Sequence, residues 1–574
     1  MAIIGIDLGT TNSLATVWRD GKSVLIPNSL GEFVTPSVVS VNENGGIITG
    51  NTAKQRLVSH PDRTASLFKQ YMGSSKSYII GGLTFNPEDL SAIILRSLKS
   101  DAEAFLGEEI AEAIISVPAY FNDTQRSATK AAGQLAGLKV DRILNEPSAA
   151  ALAYRQHDVC DGTNLVFDFG GGTLDISVLE AFGNIVDILA VSGDNQLGGS
   201  DIDAAIMTAF LHEHPGLVSG LSQQQRGILL KTAEASKIAL TDRQHVFMSF
   251  RHQDNEFVMA LDNERLMQIC SPMLIRFKEV IKRAMQNAER PLSMIDNIIL
   301  IGGSCRMPLV QEYLRHLTQK PVLSDIDPDM AVAIGVGVAA GIKERNEDIR
   351  DMVLTDICPF SLGVGIINDV FSPIIPRNTA LPASRVKTYY TVSDYQENIS
   401  LSIYQGESLE ASKNLLLGEG SITVPKLPKG QASVDVRFSY DINGILDVEF
   451  QSNQGGEVVR ELIVGNSRLS QEEINKRVLE LSKLKTAPRD DELNNLLIAR
   501  GQRLYEEFSG HMGERIASYL SGFVHELERG VNPARSAKMR ADLSSFFDHL
   551  DAYSENLLFF GKAELDDDVL GEND

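Results

Sequence analysis

Two segments of the sequence combine an aspartate, glycines and threonine in the same order. Gly5–Ser13 has Asp7 before a Gly-Thr-Thr turn, and Val166–Asp175 has Asp168 before the turn Gly170–Thr173. Glycine-rich turns present backbone N–H groups to a phosphate with little steric bulk, and threonine hydroxyls add donors. A carboxylate beside such a turn would repel phosphate unless a hydrated Mg²⁺ lies between them. The pattern therefore predicts a phosphate and magnesium site shared by the two segments.

An ordinary β-turn with a capping aspartate is the competing explanation for either segment. Two copies with aspartate, apolar residue and glycine in register make that explanation much weaker. A Walker A motif is absent, because Thr16 stands where its first glycine would precede Gly21-Lys22-Ser23. A third glycine turn, Ile301–Pro308, follows an apolar run and fits either a nucleotide contact or a plain strand-to-helix turn.

The elements that would position these turns alternate along the first 350 residues. Buried strands are predicted at Ile3–Asp7, Ala113–Val117, Leu165–Asp168 and Ile298–Ile301, and helices at Gln125–Ala136, Ile202–His212 and Arg226–Leu240. The alternation indicates an α/β architecture, and the repeated aspartate turn suggests two related halves that face each other. Gly335, Gly337 and Gly341 do not match a dinucleotide motif and predict close helix packing.

The chain changes character after a charged run that ends at Asp351. Apolar and polar residues alternate between Phe360 and Val464, and Asn443-Gly444 is a hairpin signal. A capping box formed by Ser470 and Glu473 then opens a region of helical spacing. We therefore expect an antiparallel β domain followed by a helical module.

The overall charge excludes some classes of partner. The chain carries 53 basic and 76 acidic residues, a net charge of −23, which argues against nucleic acid or an anionic membrane. We see no signal peptide and no apolar run near the roughly 18 residues of a membrane span. Four cysteines without metal-ligand or Cys-x-x-Cys spacing favour a reducing, cytoplasmic compartment.

Seven motifs together resemble the DnaK-type chaperones, the seventy-kilodalton heat-shock family. They are IDLGTTNS at 6–13, VPAYFND at 117–123, NEPSAAALAY at 145–154, FDFGGGTLDIS at 167–177, GDNQLGGSDID at 193–203, IGGSCRMP at 301–308 and DPDMAVAIG at 327–335. The resemblance implies an α/β actin-like two-lobed ATPase domain, an antiparallel β-sandwich for peptide, and a C-terminal α-helical lid. The corresponding ranges are 1–350 for the ATPase domain, 351–356 for the linker, 357–465 for the sandwich, 466–560 for the lid and 561–574 for an acidic tail.

The resemblance also implies a site for ATP and ADP with Mg²⁺ and K⁺. Lys69 matches the catalytic lysine that steadies the γ-phosphate, and Thr173 matches the residue that orients the attacking water. The other catalytic positions are Asp7, Glu146 and Asp168, and the metal-binding positions are Asp7, Asp168 and Asp175. The nucleotide-contacting positions are Thr10, Thr11, Asn12, Gly170, Gly171, Gly172, Gly198, Gly199, Glu234, Lys237, Thr241, Gly302, Gly303, Ser304, Arg306 and Asp329.

Further positions match the family's peptide site and its communication surfaces. In the β domain, the peptide-site positions are Val364, Ile366, Ile367, Tyr389, Val392, Ile399 and Leu401, although residues in such strands are more often core. Pro118 and Arg126 match a relay between nucleotide and linker, and Arg142, Asn145 and Asp356 match the docking surface for a J-domain co-chaperone. The implied partners are unfolded client polypeptides and a J-domain protein, and the implied state is a monomer.

Several departures from the family pattern indicate a specialised bacterial member. Thr355 replaces a leucine of the linker, which predicts weaker coupling between the domains. Val392 and Ile399 are larger than usual, which predicts a tighter peptide pocket. The segments Met72–Leu106 and His252–Glu256 are short, which argues against dependence on a GrpE-type exchange factor.

Other classes of protein share such phosphate loops. Sugar and acetate kinases and actin-like filament proteins would lack the region after Asp351, so that region favours the chaperone. A holder of peptides without ATPase activity is the remaining alternative, but the catalytic positions are all retained.

Overall fold

The computed structural model describes most of the chain. The described residues are 2–156, 161–218, 220–252, 255–323, 326–346, 349, 352–442, 444–454, 458–463, 471–482, 484, 492–508, 511–529 and 533–560. The predicted hairpin residue Asn443, the predicted helix cap Ser470 and the predicted acidic tail lie outside these residues.

The first lobe is built around a six-stranded mixed sheet in the order β11-β10-β1-β2-β3, with β4 beside β2. Its strands are β1 (Ile3–Leu8), β2 (Asn12–Arg19), β3 (Lys22–Ile26), β4 (Thr35–Pro36), β10 (Glu112–Val117) and β11 (Lys139–Asn145). Two small sheets contain β5 (Val39–Val41), β6 (Ile47–Thr49) and β7 (Thr64–Ala65), and β8 (Tyr78–Ile80) and β9 (Leu83–Phe85). The helices are α1 (Gly50–Ser59), α2 (Pro87–Leu106), α3 (Asp123–Leu135) and α4 (Glu146–Gln156).

The second lobe repeats the same sheet in the order β18-β17-β12-β13-β14. Its strands are β12 (Gly162–Phe169), β13 (Leu174–Phe182), β14 (Ile185–Asp194), β17 (Asn297–Ile301) and β18 (Val322–Leu323), with a separate hairpin of β15 (His245–His252) and β16 (Asn255–Asp262). The helices are α5 (Gly199–Glu213), α6 (Gln223–Ala239), α7 (Asn263–Asn287), α8 (Pro308–Thr318) and α9 (Ala331–Lys343).

The two sheets confirm the predicted relation between the halves. In each lobe the strand that ends in the aspartate turn pairs antiparallel with the next strand and parallel with a later one. The predicted strands and helices are confirmed as well, although the helices begin earlier than the apolar spacing indicated. Helix α3 begins at Asp123 because Asn122 and Gln125 form a capping box ahead of the apolar positions.

Helices α4 and α9 lie at the junction of the lobes and share one core with residues of both sheets. A Cβ at Gly335 would lie 1.7 Å from the carbonyl oxygen of Ala149, and one at Gly341 would lie 2.5 Å from Trp18. Close helix packing at these glycines is therefore confirmed. At Gly335 the backbones of α9 and α4 approach too closely for any side chain, and at Gly341 the side chain of Trp18 fills the space, so glycine sets how closely α9 packs at this junction.

The predicted linker is a short strand, β19 (Val353–Thr355), which adds to the second lobe's sheet beside β14 in parallel register. Met352 and Leu354 pack against the core shared by the two lobes, whereas Val353 is 53% exposed. Thr355 lies opposite Asp187 and is half-buried. The linker is therefore docked through both backbone hydrogen bonds and two apolar side chains.

Two four-stranded antiparallel sheets follow, and their inner faces share one apolar core. The first has the order β21-β20-β23-β24, with β20 (Leu362–Ile366), β21 (Val370–Ile375), β23 (Asn398–Gln405) and β24 (Leu415–Thr423). The second has the order β22-β25-β26-β27, with β22 (Ala383–Tyr390), β25 (Ser433–Tyr440), β26 (Leu446–Ser452) and β27 (Val458–Ile463). This region is the β domain.

The helical module comprises the last four helices of the described chain. They are α10 (Gln471–Ser482), α11 (Glu492–Glu507), α12 (His511–Arg529) and α13 (Pro533–Phe560). Helices α11 to α13 enclose their own small core around Leu504, Phe523 and Phe547, while α10 packs separately on the first lobe. Among the described residues, no helix is long and apolar enough to cross a membrane.

We expect Gly335→Ala to destabilise the two-lobed domain by about 1–3 kcal/mol, because the new methyl group would push α9 away from α4. The thermal unfolding midpoint should fall by several degrees. Gly216→Ala is the matched control, since a Cβ there meets no atom within 4 Å and the φ is not positive. Equal midpoints for the two variants would contradict the packing argument.

Candidate functional site

The two predicted phosphate loops lie opposite each other at the base of a cleft between the lobes. The first joins β1 to β2 and the second joins β12 to β13. A Cβ at Gly171 would lie 1.7 Å from Thr11 Oγ1, and one at Gly172 would lie 2.8 Å from Thr10 Cγ2. Only glycine allows this approach, so the closed base of the cleft depends on the glycines of the second loop.

The cleft contains a cavity of about 510 Å³, a size that suits a small-molecule ligand. Most of the nucleotide and catalytic positions predicted from the sequence line this cavity. The lining positions are Asp7, Thr10, Thr11, Asn12, Lys69, Glu146, Asp168, Gly170, Gly171, Thr173, Gly199, Glu234, Lys237, Thr241, Gly302, Gly303, Ser304, Arg306 and Asp329. Asp175, Gly172 and Gly198 lie behind this first layer of residues.

The second phosphate loop is held in shape by its neighbours. The backbone N–H groups of Gly199 and Ser200, at the start of α5, donate to the carbonyl oxygens of Gly170 and Gly171 at 2.9 Å. The hydroxyl of Ser304 also donates to the Gly170 carbonyl at 3.0 Å. The third glycine turn therefore supports the second loop, which gives it a role beyond that of an ordinary strand-to-helix turn.

A buried ion pair lies at the centre of the cleft. Lys69 Nζ donates to Glu146 Oε1 at 2.7 Å, and the two side chains are 3% and 10% exposed. Asp168 and Asp175 are also buried around this pair, and Asp7 is half-buried beside it. Four carboxylates thus surround one ammonium group, which leaves a surplus of buried negative charge.

This surplus is reflected in the pKa values of the aspartates. Burial, followed by repulsion from Glu146, raises the pKa of Asp7 to about 6 and that of Asp175 to about 7. The same two causes raise the pKa of Asp168 well above its usual range. A hydrogen bond that Ser116 donates to Asp7 Oδ1 at 2.6 Å partly offsets the effect at Asp7. A cation in the cleft would restore the ionised form of these groups.

The carboxylates fit a hydrated divalent cation. Asp168 Oδ2 and Asp175 Oδ2 are buried without a hydrogen-bond partner, as groups that face ordered water or an ion would be. Among the residues that the structure describes, no three carboxylate, imidazole or thiol groups converge closely enough to hold a bare metal ion. Asp7 and Asp168 would therefore hold Mg²⁺ through its water molecules, and the ion would neutralise phosphate charge.

The opposite end of the cavity is lined by α6 and the third glycine turn. Lys237 Nζ pairs with Asp203 Oδ1 at 2.8 Å, and both side chains are about 10% exposed. Arg306 Nε donates to Asp329 at 2.9 Å, and its guanidinium also pairs with Asp327. Lys237 and Arg306 are held in these pairs. Glu234 and the backbone of the third glycine turn are therefore the polar groups of this end that can adjust to a ligand.

Some lining residues were not predicted from the sequence. Lys54 and Leu57 on α1, and Leu230 and Ile238 on α6, close the cavity from opposite lobes. Lys54 Nζ lies 4.0 Å from Glu234 Oε1 across the cleft. No local motif marks these residues, because their role depends on how two helices distant in sequence meet. Ser116 was also missed, although it immediately precedes the VPAYFND motif.

The predicted relay and co-chaperone positions form one hydrogen-bonded network beside the linker. Arg126 Nη2 donates to Asn145 Oδ1 at 2.6 Å, and Asn145 Nδ2 donates to Asp356 Oδ2 at 2.7 Å. Arg126 also donates to the carbonyl oxygen of Phe121, whose own N–H donates to that of Pro118. The network joins the strand that precedes Glu146 to the residue that ends the linker.

The remaining co-chaperone position is Arg142, which is half-buried close to Asp356. Asn145 is 5% exposed, so it acts within the network and offers little surface to a partner. Of the three predicted docking positions, the structure therefore leaves chiefly Arg142 and Asp356 near solvent.

The predicted peptide-site positions divide into two groups. Val364, Ile399 and Leu401 are buried in the core of the β domain, and Tyr389 packs against that core with its hydroxyl 3.1 Å from Ser372 Oγ. The exposed positions are Ile366, Ile367 and Val392, which are 39%, 60% and 46% accessible. Large apolar side chains in water at one domain surface are typical of a binding site.

The ATPase domain and the β domain meet at Asp123. Tyr440 donates to Asp123 Oδ1 at 3.0 Å, and the backbone N–H of Asp123 donates to Gln405 Oε1 at 3.0 Å. Burial raises the pKa of the Asp123 carboxyl to about 7, although Tyr440 and Arg126 oppose the shift. Undocking returns the carboxyl to water and its pKa towards 3.8, so docking takes up a proton.

Docking of the β domain should therefore weaken as the pH rises from about 4 to about 7, and stay weak above. Asp123→Asn keeps an acceptor for Tyr440 but never ionises. At pH 8 we therefore expect protease to cut the linker of the variant several-fold more slowly than that of the wild type. The difference between the variant and the wild type should shrink as the pH falls and should vanish near pH 4, where the carboxyl is protonated in both the docked and the undocked state. Equal protection at pH 8 would show that Asp123 does not control docking.

Comparison with known families agrees with this arrangement. A family model described as Hsp70 protein matches residues 3–79 and 76–514, which include both lobes, the linker, the β domain and the first half of the helical module. Members of this family are ATP-dependent chaperones that bind ATP or ADP with Mg²⁺. The extent of the match, together with two facing phosphate loops and a docked β domain, shows that this chain belongs to the Hsp70 family.

Proposed function

We propose that this chain uses ATP hydrolysis in the cleft to switch its β domain between tight and weak binding of extended apolar segments of unfolded proteins. The observation that carries the proposal is the polar path from Glu146 through Asn145 to Asp356. Glu146 lines the cavity, and its sequence neighbour Asn145 is bonded to the end of the linker. A change of charge at Glu146 therefore occurs one residue away from Asn145, which contacts the end of the linker.

In the proposed reaction, water attacks the γ-phosphorus of ATP, the bond to the β-phosphate oxygen breaks, and ADP leaves. Mg²⁺ supplies charge neutralisation on the phosphates when bound. Lys69 would leave Glu146 in part to stabilise the transferred phosphoryl group, and Thr173 would orient the water from the second loop. Glu146 and Asp175 would accept hydrogen bonds from that water. Phosphoryl transfer needs positioning and charge neutralisation more than covalent catalysis, and these residues supply both.

The proposed peptide site is the exposed apolar surface of the β domain. Ile366 ends strand β20 and Ile367 follows it, and Val392 follows strand β22 in a loop held by its N–H bond to Gln396 at 2.9 Å. An extended segment would bury these side chains and use backbone hydrogen bonds along the strand edge. The bulk of Val392 favours client side chains smaller than leucine, whereas Ile399 is buried in the core.

The proposed partners follow from the same surfaces. A J-domain co-chaperone would contact the ATPase domain near Arg142 and Asp356, beside the linker. A GrpE-type exchange factor is not required in this proposal, because the segments it would grip are short. The buried, unpaired thiols Cys270, Cys305 and Cys358 fit a reducing cytoplasm.

Lys69→Ala should lower the single-turnover rate of ATP hydrolysis by roughly 10²–10³-fold while ATP still binds, because it removes a cation at the transferred phosphoryl group. Lys99→Ala is the matched control, since Lys99 does not line the cavity and pairs with Glu103 on the same helix. An unfolded peptide should stimulate the wild-type rate.

The same assay separates the alternatives. Hydrolysis without stimulation by peptide would favour a kinase or filament protein, and peptide binding without hydrolysis would favour a passive holder. A pull-down with Thr173→Ala, which should bind ATP and hydrolyse it slowly, would recover client proteins if the proposal holds.

Thr355→Leu should strengthen coupling between the domains. Thr355 is half-buried opposite Asp187, so a leucine would gain less than the roughly 1.5–3 kcal/mol of a fully buried side chain. ATP should then accelerate release of a fluorescent peptide more than in the wild type. Thr355→Val, which removes the hydroxyl at nearly constant volume, controls for loss of polarity. Unchanged rates of peptide release and ATP hydrolysis in Thr355→Leu would contradict the prediction that Thr355 weakens coupling between the domains.

A further inference from the structure

The helical module lies on the ATPase domain in this structure. Helix α10 inserts Ile474 and Leu481 into the apolar core of the first lobe. Arg477 forms an ion pair with Asp89 of α2, and Arg96 donates to the carbonyl oxygen of Leu481 at 2.9 Å. This contact anchors the module to the first lobe alone.

The rest of the module extends over the mouth of the nucleotide cleft. Helix α11 runs against α1 of the first lobe, and α13 packs against β15 of the second lobe. Helices α1 and α6 also contribute Lys54, Leu57, Leu230 and Glu234 to the cavity. The elements that close the nucleotide cavity are therefore the same elements that the module contacts from outside.

One charged cluster of the module contacts both lobes. Arg503 Nε donates to Gln55 Oε1 on α1 at 2.5 Å, and Glu507 Oε1 pairs with Lys231 Nζ on α6 at 2.5 Å. Arg503 and Glu507 pair with each other at 2.6 Å and are only 5% and 9% exposed. Asp551 of α13 also accepts from Arg503 at 2.7 Å. The cluster thus joins α1, α6 and α13 through residues shielded from water, where ion pairs are screened least.

This geometry has a thermodynamic consequence. Gln55 and Lys231 belong to different lobes, so the module can bind both only while the lobes are closed on each other. A ligand that contacts two bodies only in their closed arrangement stabilises that arrangement. Nucleotide also bridges the lobes, and the coupling between two ligands that favour one state is reciprocal.

We propose that the helical module is an intramolecular clamp on the nucleotide cleft, which docks on α1 and α6 and slows the release of bound nucleotide. The inference rests on the proposed ATP site but concerns how long nucleotide stays there. The occupant of this surface is the chain's own module, because α10 anchors it on the first lobe and so holds α11 at a high effective concentration. Opening the cleft requires the module to leave one lobe.

The test uses the full chain with Gln55→Lys and Lys231→Glu, alone and together. Each change places like charge against Arg503 or Glu507, and neither residue lines the cavity. The matched control is Asn44→Lys with Lys278→Glu, which makes the same charge changes at exposed positions on the same two lobes. Release of a fluorescent ADP and of a fluorescent nonhydrolysable ATP analogue is measured by chase with unlabelled nucleotide.

We expect the double variant to release at least one probe about fivefold faster than the wild type, and each single variant to show a smaller effect. The control pair should match the wild type. Hydrogen exchange in α1 should accelerate in parallel, because α11 covers that helix, while the rate of the hydrolysis step should stay unchanged.

Two results would overturn the clamp. One is release of both probes from the double variant within twofold of the wild-type rate. The other is a wild-type release rate that falls with rising protein concentration, since the occupant would then be a second copy of the chain. Failure of the wild type and the control pair to bind either probe would instead overturn the proposed ATP site.

Discussion

The close approach of the two phosphate loops is the constraint on which the rest of the structure depends. Gly171 meets Thr11 at a distance that no Cβ could occupy, so the lobes touch at the base of the cleft and can separate only at its mouth. The contact of α4 with α9 at Gly335 holds the lobes at the junction in the same way. Motion of the lobes is thereby directed to the region where α1 and α6 face each other.

The excess of negative charge in this closed cleft explains why it would respond to nucleotide. Glu146, Asp168 and Asp175 are buried and Asp7 is half-buried around a single lysine, an arrangement that is costly until a cation and a phosphate chain complete it. Glu146 is also the first residue of α4, directly after the Asn145 that bonds the end of the linker. Binding in the cleft can therefore affect the linker through the adjacent residues Glu146 and Asn145, without a long pathway of side chains.

The linker, the β domain and the helical module attach to the two lobes at three places, through different kinds of interaction. The linker adds a strand to the second lobe through backbone hydrogen bonds, the β domain meets α3 through the buried Asp123 and Tyr440, and the helical module spans the lobes through Arg503 and Glu507. The first attachment depends little on pH or salt, whereas the second depends on protonation. The third depends on whether the lobes are closed, which makes the helices a candidate sensor of the nucleotide site.

The sequence by itself determined the strands that end in Asp7 and Asp168, the repeat that relates the lobes and the order of the domains, and its resemblance to a known family implied most of the polar residues of the cavity. These features follow from local patterns, because glycine turns, apolar periodicity and capping residues act over a few neighbours. It also predicted seven peptide-site positions, but it did not separate the exposed Ile366, Ile367 and Val392 from Val364, Ile399 and Leu401, which are core. Only the tertiary structure decided that Lys54 faces Glu234 across the cavity, that Asn145 is a buried link, and that α11 covers the cleft. Those facts depend on which distant helix faces meet, and no spacing within a single segment records such a contact.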